Sequence, residues 1–237
     1  DRINSPDVRV DPVLTDASTR LFAEVSDYTA VQTAEEEGWA PGVWEAAVEY
    51  GFTTASIPEE AGGGGGSLAD ACEILRLAGA HAAPIPLAET ALLGGWLLAG
   101  SELALPEGPL TTPPGRPEDA IEIRYGEDGS ATLRGTLHRV PWADRAERLV
   151  LLDDTEDGSH RRVLSIERAN YSVERMTNLA GEPRETVLFE DARVDAAEVG
   201  TAGGGISRDS LRARGALSRV MLMAGALEAM LDLTLEY

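Results

Sequence analysis

The chain has 237 residues and sets 20 Lys and Arg against 41 Asp and Glu, a formal charge of −21, so its surface repels polyanions and neither nucleic acid nor an anionic membrane is an expected partner. An apolar content of 43% is enough for a sizeable core, in one large domain or two ordinary ones. A single cysteine, Cys72, leaves no internal disulfide and fits a reduced, cytoplasmic setting, while His81, His138 and His160 lack metal-ligand spacing with it, and no apolar run approaches the roughly 18 residues of a membrane span.

The first hundred residues carry helical signals. "TDASTRLFAEVSDYTAVQTAEEEG" begins with cap-competent Thr15 and Asp16, spaces Leu21, Phe22 and Val25 for a helix, and ends at Gly38. "PGVWEAAVEYG" has Pro41 at its start, Val43, Ala47 and Val48 on one side, and Gly51 after its end. "SLADACEILRLAG" offers Ser67 as N-cap with Asp70 three residues on, and a buried stripe of Leu68, Cys72 and Leu75. "LAETALLGGWLLAG" is apolar nearly all round, as a helix surrounded by others must be.

A proline-rich connection, "SELALPEGPLTTPPGRPED", then leads into period-two patterns. "AIEIRY", the turn "EDGS" and "ATLRGTLHRV" predict a hairpin, and "RLVLLDD", "RVLSIER" and "ETVLFED" predict three more strands. After "TAGGGIS" a long helix is expected from Arg208 to Tyr237, with Leu217, Val220, Met221, Ala224 and Leu227 at helical spacing. The reading is an α+β multidomain chain: an N-terminal all-α domain (1–105), a middle antiparallel β domain (106–205), and the start of a C-terminal helical bundle (206–237). That bundle is read as truncated, because "LEAMLDLTLEY" stops within a helical pattern without a cap.

Five consecutive glycines, Gly62 to Gly66, interrupt the helical part. A linker is disfavoured because similar helical patterns flank the run, and a phosphate loop fails because no Gly-Lys-Ser/Thr follows and no strand precedes. The reading is a corner that needs unusual φ angles before the Ser67 cap, with close backbone approach to a ligand as a further option.

The stretch "GVWEAAVEYGFTTASIPEEAGGGGGSLADACEILRLAGAHAAPIPLAETAL", residues 42 to 92, resembles the N-terminal domain of acyl-CoA dehydrogenases. "ETVLFEDARVDAAEVG" (185–200) resembles the end of that family's β domain, and "RARGALSRVMLMAGALEAMLDLTLEY" resembles the long helix that opens its C-terminal domain. The resemblance implies a flavoprotein oxidoreductase of fatty acid metabolism. It would perform α,β-dehydrogenation of an acyl-CoA thioester, with FAD accepting the hydride and a glutamate removing the α-proton. It also implies a homo- or hetero-oligomer, a dimer or tetramer. The alternative within the same resemblance is a non-catalytic structural subunit of a heteromeric acyl-CoA dehydrogenase.

Carried over residue by residue, the main flavin loop of the family falls on "TTPPGRPED". There Thr111 matches, Thr112 replaces a glutamate, and Arg116 and Pro117 replace a glycine and a serine. The second flavin contact places Val140 and Pro141 at the Ile and Thr positions of a Trp-Ile-Thr motif, with Trp142 and Arg139 beside them. Cofactor-binding candidates are therefore Thr111, Val140 and Trp142. Substrate-binding candidates are Arg212 and Arg214 on the last helix. Gly215 stands where some relatives carry the catalytic glutamate, so no catalytic residue is assigned.

Overall fold

The computed structural model describes residues 10–155 and 160–236. Helix α1 (Pro12–Val25) starts one turn earlier than the sequence predicts, because Asp11 caps it by accepting from the Val13 N–H. The segment to Gly38 is two helices rather than one. Asp27 accepts from the Ala30 N–H and restarts the chain as α2 (Tyr28–Glu37), which ends at left-handed Gly38. Helix α3 (Pro41–Glu49) buries Val43, Trp44 and Ala47 but leaves Val48 38% exposed. Helix α4 (Leu68–Ala80) carries the expected capping box, Ser67 with Asp70. Cys72 and Leu75 are buried there, whereas Leu68, at the first turn, is 39% exposed. A π-helical turn, Glu89–Gly94, runs into α5 (Gly95–Ala99) through the middle of this layer.

The β portion contains two four-stranded sheets. One has the order β1 (Leu110–Thr111), β4 (Arg148–Asp154), β5 (Arg161–Glu167), β8 (Val199–Thr201). The other has the order β2 (Ala120–Tyr125), β3 (Ala131–Pro141), β7 (Arg184–Val194), β6 (Ser172–Glu174). All pairings are antiparallel except β1 with β4. The inward faces bury Leu133, Leu137, Leu149, Leu164, Val187 and Phe189. Gly135 is required in β3: a Cβ there would stand 2.0 Å from the Ala120 carbonyl oxygen.

Helix α6 (Arg208–Glu236) begins where the Ser207 hydroxyl accepts from the Ser210 N–H, and then lies along α4. Its approach is close because two glycines permit it. A Cβ on Gly79 would meet the Leu222 carbonyl at 2.2 Å, and one on Gly225 would meet the Arg76 carbonyl at 1.7 Å. Leu217 and Met221 pack on the helical core, while Val220 and Leu227 face outward at 58% and 60% exposure, so the expected apolar stripe is only half covered. A third cluster of Leu97, Leu98, Leu110, Val150, Val163 and Ile206 joins the helices to the β1–β4–β5–β8 sheet. Among the described residues no helix is long and apolar enough to cross a membrane.

Candidate functional site

The two segments assigned to a flavin by resemblance meet where β1 passes the end of β3. Thr111 is fully buried, and its hydroxyl donates to the Pro141 carbonyl, so the segments bond to each other. Val140 is also fully buried and lies opposite Glu185 on β7. Trp142, 3% exposed, opens a tight turn in which the Arg145 and Ala146 N–H groups both donate to its carbonyl at 3.0 and 2.9 Å. Arg139 is exposed on the irregular end of β3, with φ at 56°.

That turn is fastened from three directions. The buried Glu185 carboxylate accepts from the Asp144 N–H at 3.0 Å. The Tyr171 hydroxyl donates to the Ala143 carbonyl at 2.9 Å. Asp144 itself accepts from Arg168 at 2.8 Å and Arg175 at 2.5 Å. These surroundings push the two carboxyls apart. Burial raises the pKa of Glu185, and the charge of Asp144 adds to the rise. Burial acts the same way on Asp144, but hydrogen bonds from Arg168 and Arg175 offset it and hold that pKa below the ordinary carboxylate range. Burial also raises the Tyr171 phenol.

A flavin needs donors turned toward it and a face to lie on. Here the Thr111 hydroxyl is spent, Pro141 has no N–H to give, and Val140 and Trp142 are sealed into the interior. In the loop the buried Thr112 hydroxyl has no partner among the described residues. As arranged, Thr111, Val140 and Trp142 do not fit the cofactor.

The two arginines of α6 diverge. Arg212 is exposed, whereas Arg214 is half-buried, with its guanidinium 4.3 Å over the Trp96 ring and reaching the Leu92 carbonyl at 3.5 Å. Burial lowers the Arg214 pKa, with Cys72 nearby. A Cβ at Gly215 would have nothing within 4 Å, so that position is an open face of the helix. The glycine run offers no cradle for a ligand. The N–H groups of Gly62, Gly63, Gly64, Gly65 and Gly66 donate to the carbonyls of Glu59, Pro58, Thr54, Ile57 and Ala55 at 2.8 to 3.0 Å. It is a corner, with Gly62 and Gly65 at φ 88° and 70°.

One buried charged pair was not anticipated. Glu89, 1% exposed in the π-helical turn, accepts from Arg219 on α6. A lone carboxylate in an all-round apolar helix was its only trace in the sequence.

Residues 14–102 match the family model described as acyl-CoA dehydrogenase, N-terminal domain. No curated protein sequence matches the chain. Among solved structures, the chain is similar to one from the ChsE4–ChsE5 complex of Mycobacterium tuberculosis, with 21% identity and a TM-score of 0.79 over 95% of this chain and 65% of that one. It is also similar to butyryl-CoA dehydrogenase from Megasphaera elsdenii, with 16% identity and a TM-score of 0.74 over 98% and 70%. A third likeness is to PigA with FAD and proline, with 16% identity and a TM-score of 0.79 over 98% and 69%. The chain spans about two thirds of the length of these structures. Residues 14–102 are thus recognised as an acyl-CoA dehydrogenase N-terminal domain, and the chain around them carries the acyl-CoA dehydrogenase fold.

Proposed function

We propose that this chain is a structural subunit of a heteromeric acyl-CoA dehydrogenase. The assembly dehydrogenates an acyl-CoA thioester at the α,β position with FAD as hydride acceptor, and this chain packs against the catalytically competent subunit. The observation that carries this reading is the Thr111–Pro141 bond, which closes the two segments where the family would hold its flavin. Likeness to a chain from a complex of two different proteins, ChsE4 and ChsE5, supports the heteromer. In this reading the three units 1–105, 106–205 and 206–237 are an N-terminal helical domain, a β domain and the first helix of a bundle, and the assembly works in the cytoplasm.

A second reading, in which this chain is itself the flavoenzyme, is favoured by the unpartnered Thr112 hydroxyl, a buried polar atom that a cofactor would satisfy. The visible spectrum separates the two. The full protein purified alone is expected to be colourless, and co-purified with a dehydrogenase partner it is expected to show a flavin band that an acyl-CoA bleaches. A stoichiometric flavin in the protein purified alone would overturn the structural-subunit reading.

A further inference from the structure

A second site lies at the opposite end of β3 from the closed segments. Where the β2–β3 turn approaches β8 and the start of β5, a cleft of about 380 Å³ opens, lined by Tyr125, Gly126, Gly129, Arg162, Val199 and Thr201 among others. Its volume is at the lower end of the range for small-molecule pockets. Arg162 holds its guanidinium 3.9 Å over the Tyr125 ring, and among the described residues no carboxylate stands within ion-pair distance of it. That is unusual in a chain with twice as many acids as bases, where most other arginines of the β sheets are paired.

The arginine is also held in place. The Tyr125 hydroxyl donates to Asp153 at 2.6 Å, the same carboxylate meets His160 Nε2 at 3.2 Å, and the imidazole stands edge-on to the Tyr125 ring. The ring is therefore fixed, and the guanidinium lying on it loses little freedom when a ligand binds. Small residues, Gly126, Gly129 and Ala196, keep the walls low, and Val199 gives an apolar patch.

We infer that this cleft binds a small monocarboxylate, with the carboxylate forked onto Arg162 and the apolar body against Val199 and Ala196. A dianion such as phosphate is disfavoured, because exposed Glu127 stands at the rim and the whole chain is strongly negative.

Isothermal titration of the full chain with benzoate at low ionic strength tests it. Saturable binding is expected, weakened about tenfold or more by Arg162→Gln, and also weakened by Arg162→Lys, which keeps the charge but loses the fork. Thr201→Glu, an exposed change that places a like charge in the cleft, is expected to abolish binding, with far-UV circular dichroism unchanged in all three variants. No saturable heat, wild-type affinity in Arg162→Gln, or tighter binding of inorganic phosphate than of benzoate would each overturn the assignment.

Discussion

Glu185 and Asp144 touch through one hydrogen bond, yet they contribute to stability with opposite signs. The folded-state pKa of Glu185 is raised above its ordinary 4.5, so its favourable contribution is complete below that value and is lost as pH rises through the folded pKa. Asp144 is depressed below 3.8, so its contribution is present above that value and is lost on acidification. Glu185→Gln keeps an acceptor for the Asp144 N–H without the buried charge. Its melting temperature is therefore expected to exceed the wild type at neutral pH, with the gap closing as pH falls through the raised folded pKa and gone below about 4.5. A variant less stable than wild type at pH 7 would show that the carboxylate charge itself holds the turn. Gly63→Ala tests the glycine corner. The residue is not at positive φ, but a Cβ would stand 2.2 Å from the Ile57 carbonyl, so a loss of about 1–3 kcal/mol in urea unfolding is expected. The need for glycine at this corner was legible from the run itself. Which glycine needs it for φ and which for space was not, because that depends on the carbonyls folded back from residues 54 to 58. Burial of Trp142 was equally hidden, since an aromatic beside a proline reads the same whether it faces in or out.

At the scale of elements, the strands with a readable alternation appear within a residue or two of where the sequence puts them, apart from a longer end on β7, and the β2–β3 hairpin turns where its glycines stand. Strands β1, β6 and β8 have two or three residues, too few to show any period. The π-helical turn was hidden for a related reason: over only six residues its period cannot be told from that of an α-helix. It matters because it carries Glu89 to Arg219 and so ties the helical layer to α6. The Arg219 pKa is raised, chiefly by the charge of Glu89. Arg219→Ala leaves a carboxylate buried without a partner. The expected loss is about 3 kcal/mol, at the low end for a buried pair because the arginine side chain remains 36% exposed. Replacing both residues by leucine should recover most of it, as removing the second charge removes the desolvation penalty. Urea denaturation of the single and double variants measures both. A double variant as unstable as Arg219→Ala would mean that packing rather than charge accounts for the loss.

For the whole molecule, the order helices, strands, helix was legible because each type has its own period. The cluster that binds them was not, since Leu97, Val150 and Ile206 come from segments some fifty residues apart or more and share no local signal. The same distance between sequence and space governs the charge. A formal −21 spread over one fold is self-repulsion that the ion pairs on its surface do little to relieve, because exposed pairs are worth only about 0–1 kcal/mol. Repulsion between charges many ångströms apart is the part that salt removes most completely, since the screening length falls from about 30 Å at 0.01 M to about 8 Å at 0.15 M. The melting temperature is therefore expected to rise with sodium chloride over this range. The short bonds of Asp144 to Arg168 and Arg175, made at a carboxylate only 16% exposed, are screened less and should survive the change. Differential scanning calorimetry at 0.01, 0.05 and 0.15 M salt decides the balance. A melting temperature that falls along the series would mean that close attractive pairs, not net repulsion, dominate the electrostatics of the folded chain.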